Sequence, residues 1–220
     1  PMNSSAASDV YKRQMSKRLG NAIDPFHTIS DFGPDATRWY MISNSNPWDN
    51  LKFDLGGVDE VKRKFFGTLY NTYSFFALYA NIDGFKYDEK EIKFDQRPEL
   101  DRWILSELNS LIINVDEYYN DYEPTKAARA INSFVIDNLS NWYVRLSRRR
   151  FWKGDYEKDK ISAFQTLFDV LINIAKLSAP ISPFFMDRLF IDLSKNLNQS
   201  FSESIHLENF PISDKSKIDK

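Results

Sequence analysis

Two stretches of this chain gather groups that can hold phosphate. The first, QMSKRLGNAIDP at residues 14–25, is a basic turn running into a helix start. Lys17 brings a mobile ammonium and Ser16 a hydroxyl, Arg18 adds a second cation, and the backbone N–H groups around these residues can cradle anionic oxygens. Gly20 lets the backbone approach a ligand closely, Asn21 can orient the turn, and Met15 can anchor it by packing. By itself the MSK tripeptide fits a solvated basic turn better, since such tripeptides occur by chance.

The second stretch, WYVRLSRRRFW at residues 142–152, closes a helical pattern with Arg145, Arg148, Arg149 and Arg150, followed by Lys153, and has Tyr143, Phe151 and Trp152 among them. Helical spacing places Arg145, Arg148, Arg149 and Trp152 on neighbouring rows. Guanidinium forks match phosphate oxygens, and aromatic rings stack on unpaired bases, as in the reading of single-stranded RNA loops. The same cations equally fit a plainer role, offsetting a helix C-terminal dipole and pairing with Asp155 and Glu157.

The elements that must position these groups are helices. Ala36, Trp39, Tyr40 and Ile42 mark a short helix that Asn46 and Pro47 stop. Val58, Val61, Phe65, Leu69, Thr72, Phe76 and Ala80 recur in steps of three and four, predicting a long helix that ends at Asp83-Gly84. Residues 85–98 are charged and aperiodic and read as a linker between domains. Beyond them, Ile104 to Tyr122 form one apolar stripe that Pro124 ends. Thr125 stands where it can cap the next helix, whose stripe runs through Ala128, Ile131, Val135, Leu139, Trp142 and Leu146, so Trp142 and Trp103 are both expected in the core. A further helix spans 160–179, and Ser182 with Pro183 opens a shorter one. Four helices on short turns predict an up-and-down bundle, an all-α fold with at most a short strand pairing near Ser204 to Leu207.

Composition narrows the function classes. The formal charge of -2 hides acidic runs at 83–101 and 116–123 opposite the basic run at 145–153, where a polyanion would bind. With no cysteine and only His27 and His206, neither a disulfide framework nor a thiolate or histidine metal site is expected, and a reducing cytoplasm fits. No apolar run reaches the roughly 18 to 20 residues of a membrane span, so no membrane partner is expected. Residues 1–14 are small, polar and aperiodic and read as a non-native leader outside the fold.

The segment MSKRLGN, with GPDATR at 33–38 beyond it, resembles the lysine-rich signature loop of class I aminoacyl-tRNA synthetases, in the form found in isoleucine-type enzymes. Gln14 stands where that family has its first lysine, and Arg18 where many members have serine. Three further blocks resemble the same family: NTYSFFALYANIDGF at 71–85, LDRWILSELNSLI at 100–112 and DNLSNWYVRLSRRRFW at 137–152. The resemblance runs from Met15 to Lys220. It implies the end of a catalytic domain with a stem-contact connector at 15–57, a linking helix and linker at 58–98, an anticodon-binding helical bundle at 99–212 and a truncated tail at 213–220. It also implies ATP as a substrate, with Mg2+ expected, and makes Met15, Ser16, Lys17, Arg18, Gly20 and Asn21 the ATP-binding loop, with Lys17 catalytic. Arg145, Arg148, Arg149, Arg150, Trp152 and Lys153 become the residues that meet tRNA(Ile). The chain has no HIGH-type motif, nucleotide-binding sheet or editing insertion, so ATP and isoleucine would be bound outside it, and the isolated piece is expected to be inactive. The alternative expectation is a stand-alone helical RNA-binding adaptor without catalysis.

Overall fold

The computed structural model describes residues 23–87, 91–153, 155–195 and 201–218. The expectations for Met15, Ser16, Lys17, Arg18, Gly20 and Asn21 lie outside these residues. Among the described residues the chain is all-α, with no strand. Helices α1 (Pro25–Phe32), α2 (Pro34–Asn44) and α3 (Leu55–Val61) lead through a π turn (Lys62–Phe66) into α4 (Gly67–Asp83). Then come α5 (Glu99–Asn120), α6 (Pro124–Ser133), a π-helical stretch (Phe134–Val144), α7 (Arg145–Trp152), α8 (Lys158–Ser178) and α9 (Pro183–Ser194). The pairing expected near Ser204 is instead a 3-10 turn at Ile205–Leu207.

Local chemistry sets several of the boundaries. The Asp24 carboxylate accepts from the Phe26 N–H at 2.8 Å and Pro25 fills the first helical position, so α1 starts where its backbone donors are satisfied. Gly33, at φ 86, turns the chain between α1 and α2 in a conformation that only glycine adopts readily. Gly84 ends α4 at φ 67, with its N–H on the Ala80 carbonyl, as the sequence pattern predicts.

The core is built around α8. Its length and composition match those of a membrane-spanning helix, but 78% of its apolar window is buried inside the protein. A helix that is apolar all round belongs in the centre of a bundle. Phe164 on α8 stacks on Phe85 at 5.0 Å and meets Phe151 of α7 edge-on at 5.1 Å, while Phe75 of α4 meets Phe151 at 5.1 Å. Three helices and a loop thus share one aromatic cluster, each edge-to-face contact adding about 0.5–1.5 kcal/mol beyond its burial.

Phe85, Ile92 and Arg97, within the stretch expected as a linker, are buried against this core. Arg97 is buried, donating from Nε to the Ile92 carbonyl at 2.9 Å and from Nη1 to Thr166 Oγ1 at 2.8 Å. Asp169 takes a second bond from Nη1 at 3.3 Å and one from the Tyr87 hydroxyl at 2.7 Å. Burial pushes the Asp169 carboxyl up from its ordinary value, and the Arg97 charge opposes that rise.

Side chains distant in sequence fasten α2 to the bundle at both ends. Thr125 was expected to cap α6. Instead Glu123 occupies the cap position, and Thr125 Oγ1 lies 2.8 and 3.1 Å from the Ile42 and Ser45 carbonyls. Arg129 donates to the carbonyls of Ser43 at 2.8 Å and Asn44 at 3.1 Å. The carbonyls left open at the end of α2 are thus met by α6. At the other end, Asp35 accepts from the Phe185 N–H in the first turn of α9, doing what the sequence assigned to Ser182. Arg38 donates to the Ile181 carbonyl at 2.8 Å, in the turn before α9. Gly57 of α3 completes the junction, because a Cβ there would stand 2.3 Å from the buried Tyr40 ring.

Within residues 201–218, Glu208 accepts from the Ser202 N–H at 2.9 Å and from Lys176 Nζ of α8 at 2.9 Å. The Ser202 N–H first, and then the lysine, pull its carboxyl from 4.5 down to about 2. A depressed carboxylate stabilises the fold fully above its unfolded value and loses that contribution as pH falls through the folded one. Urea unfolding should therefore show stability falling between pH 4.5 and about 2. Glu208→Gln should flatten that part of the profile, and an identical acid profile for the variant would remove Glu208 from the linkage.

Candidate nucleic-acid interface

The helix that carries the basic run is under-wound. In a regular α-helix four residues turn about 400°, so a row of every fourth residue drifts about 40° per step. Here Ala127, Ile131, Val135, Leu139, Tyr143, Ser147 and Phe151 are all 0% exposed. On the opposite side Arg129, Ser133, Asp137, Asn141, Arg145, Arg149 and Lys153 are all exposed. The π-helical stretch, with its wider i to i+5 turns, removes the drift and keeps one straight row inside and one outside.

This winding overturns part of the apolar stripe expected from the sequence. Trp142 and Leu146 are 61% and 56% exposed, while Tyr143 and Phe151 lie in the core. Trp103 does pack against the core. Trp152 is 59% exposed. The outer face of this helix end therefore alternates large apolar side chains and cations through Trp142, Arg145, Leu146, Arg149, Trp152 and Lys153, with Arg148 alongside. Arg145, Arg148, Arg149 and Lys153 form no ion pair among the described residues, so the pairing with Asp155 and Glu157 that the spacing left open is not formed. Such a face has guanidinium groups free for phosphate oxygens and flat apolar surfaces free for bases.

Arg150 does not belong to that face. Its Nη1 and Nη2 grip the two oxygens of Asp101 at 2.6 and 2.8 Å, and its Nε meets Asp159 at 3.0 Å. Asp101 is 0% exposed and also accepts from the Tyr143 hydroxyl at 2.9 Å and the Ser162 hydroxyl at 2.6 Å. Burial opposes the charge on Arg150, but the hydrogen bonds and charge of Asp101 outweigh it and raise the guanidinium further. Burial first, then the Asp101 charge, keep the Tyr143 phenol protonated. Arg150 is thus a clamp joining α7 to α5 and α8, and the RNA role expected for it is corrected. In sequence it is one arginine among three in a row, and nothing local separates it from Arg148 and Arg149.

Among the described residues no group of three or more His, Cys, Asp or Glu is placed to hold a metal.

A family model described as the anticodon-binding domain of tRNA ligase matches residues 101–220. The chain is 64% identical over 212 residues to an isoleucine–tRNA ligase from Porphyromonas gingivalis, covering 96% of this chain and 18% of that protein. It is 62% identical to the enzyme of the same name from Bacteroides thetaiotaomicron, with the same coverage, and 43% identical over 213 residues to that from Clostridium tetani, of which it covers 20%. The chain thus spans about a fifth of the length of these curated relatives. Its fold is similar to part of a LeuRS from Agrobacterium radiobacter K84, solved in ternary complex with tRNA and LeuAMS. The TM-score is 0.68 at 20% identity, over 96% of this chain and 24% of that one.

The division between clamp and surface is measurable. Arg150→Ala leaves Asp101 buried without its main partner and should cost about 3–5 kcal/mol in urea unfolding. Arg149→Ala, which removes an exposed side chain, should stay within about 0.5 kcal/mol. Equal costs for the two variants would dissolve the distinction.

Proposed function

Matched over more than half its length, the chain belongs to the anticodon-binding domain family of tRNA ligases, and on that premise we propose that it is the tRNA-gripping part of an isoleucine–tRNA ligase. The activity of the whole protein is then the ATP-dependent attachment of isoleucine to tRNA(Ile) in the cytoplasm, with this piece holding the anticodon arm. The observation that carries the reading is the exposed set of Arg145, Arg148, Arg149 and Lys153, without ion pairs among the described residues, beside the exposed Trp142 and Trp152, on a protein whose net charge is -2. A free-standing adaptor is disfavoured, because identity to the ligases extends over 212 residues, well beyond the bundle and into the connector.

In this reading Arg145, Arg148, Arg149 and Lys153 neutralise phosphates of the anticodon arm while Trp152 and Trp142 offer faces to unpaired bases. Upstream, Met15 to Asn21 form the loop that meets ATP. There Ser16, Arg18, Gly20, Asn21 and nearby backbone N–H groups hold phosphate oxygens, and Lys17 meets the charge that builds on pyrophosphate as it leaves. Mg2+ enters with ATP as the counter-ion of its phosphates.

Fluorescence titration of a labelled anticodon stem-loop from isoleucine tRNA tests the surface. Affinity should fall steadily with salt as phosphate contacts release counter-ions. The double variant Arg148→Ala, Arg149→Ala should weaken binding by about 1.5–3 kcal/mol per lost charge-assisted contact and flatten the salt slope. Equal affinity of wild type and variant across the salt series would sink the proposal for this face.

The loop has its own test in the full-length enzyme. Lys17→Ala should lower ATP–pyrophosphate exchange by roughly 100-fold or more with isoleucine binding unchanged, as expected for a donor acting in the transition state. An unaltered exchange rate would take Lys17 out of the mechanism.

A further inference from the structure

Two largely buried ion pairs, Arg97 with Asp169 and Arg150 with Asp101, are joined through the core. Arg97 Nη1 donates to Thr166 Oγ1 at 2.8 Å, the Thr166 hydroxyl donates to the Tyr143 oxygen, and the Tyr143 hydroxyl donates to Asp101 Oδ1 at 2.9 Å. Asp101 in turn holds the Arg150 fork. An unbroken line of hydrogen bonds thus runs from the segment before α5, through α8, to the helix that carries the exposed cations. We propose that Arg97, Thr166 and Tyr143 are positioning residues for RNA binding: they aim the Asp101 carboxylate, and through it they set the rotation of α7 that points Arg148 and Arg149 outward. The proposal rests on the reading of that helix face as an RNA surface and names what holds it in register.

The direction of the line supports this. Every donor faces the same way, from the Arg97 guanidinium at one end to the Asp101 carboxylate at the other, so each hydroxyl is polarised by the one before it and the bonds strengthen one another by roughly 10–30%. Burial makes each link matter. Thr166, Tyr143 and Asp101 are 0% exposed, so a lost hydroxyl leaves its neighbours buried without a partner. The far end is fixed in advance, because Arg97 Nε is held by the Ile92 carbonyl and Nη1 also meets Asp169, which takes the Tyr87 hydroxyl. Thr166 therefore meets a donor with one orientation. The lever lies in the spacing of the last two anchors. Tyr143 and Arg150 stand seven residues, about two turns, apart on one continuous helix, and both hold the same Asp101 oxygen. Two anchors on one carboxylate fix that helix in rotation and along its axis, and Arg145, Arg148 and Arg149 lie between them.

The test removes single hydroxyls. Thr166→Val exchanges the hydroxyl for a methyl of equal size, Thr166→Ser keeps it, and Tyr143→Phe breaks the line one bond further on, so a folding defect in one variant leaves another informative. Each 220-residue chain, its fold checked by circular dichroism, is titrated with the labelled anticodon stem-loop. Thr166→Val and Tyr143→Phe should each weaken binding about three- to tenfold, the size of one hydrogen bond's net contribution, while Thr166→Ser binds like the unaltered chain. The Arg150 Nε–H should exchange with solvent faster in both weakened variants. A loss of packing alone would lower the unfolding midpoint and leave the affinity of the folded chain as it was. Unchanged affinity of folded Thr166→Val and Tyr143→Phe, equal weakening by Thr166→Val and Thr166→Ser, or unchanged exchange at Arg150 overturns the relay. The Arg148→Ala, Arg149→Ala chain separates the two ideas: if it binds more weakly while the hydroxyl variants are neutral, only the relay fails. If it binds like the unaltered chain, the helix-end reading fails and the relay with it.

Discussion

Asp101 is a carboxylate with no exposed surface, and a charge so placed costs several kcal/mol in lost hydration unless every lone pair is met. Here Arg150, Tyr143 and Ser162 meet them, and these come from α7, the π-helical stretch and α8. The clamp fixes the rotation and height of α7 against α5 and α8. Everything on the outer face of α7 follows from that setting, because Arg148 and Arg149 project outward only if Arg150 is held inward. An apolar substitute for the clamp could give equal stability, but it would not select one rotation of the helix as sharply as a forked bond to two oxygens does.

Under-winding of the same helix does the rest. Over the stretch from Ala127 to Phe151 a regular α-helix would carry its buried row most of the way round the axis. The π-helical geometry cancels this drift, so Tyr143, Ser147 and Phe151 continue the row begun by Ala127 and Ile131. Trp142 and Leu146, which regular winding would place inside, are turned to solvent between the cations. Large exposed apolar side chains in a cluster commonly mark a binding surface, and these share their face with arginines that form no ion pair among the described residues.

The connector is tied to the bundle by polar contacts at helix ends. Asp35 satisfies the first turn of α9, and Thr125 and Arg129 satisfy the last carbonyls of α2. Each end would otherwise leave buried backbone groups without partners, so the two regions dock in a specific orientation.

From sequence alone, the helices and most of their stops could be read, since period, proline and glycine act within a few residues. The ending of α4 at Gly84 and the apolar character of α8 are local facts of this kind. The signature loop, the isoleucine-type blocks and the basic run were legible for the same reason: they are contiguous strings. Tertiary structure alone decided which arginine is a clamp, because Asp101 lies 49 residues from Arg150 along the chain. It likewise decided that the Asp35 carboxylate, and not the Ser182 hydroxyl, meets the first turn of α9, and that Phe85, Ile92 and Arg97 are buried, since those partners are far apart in the chain. The exposure of Trp142 was hidden by an assumption of regular winding, although Tyr143, Ser147 and Phe151 already stood four apart. A helix's phase is set by what it packs against, and only the folded chain supplies that partner.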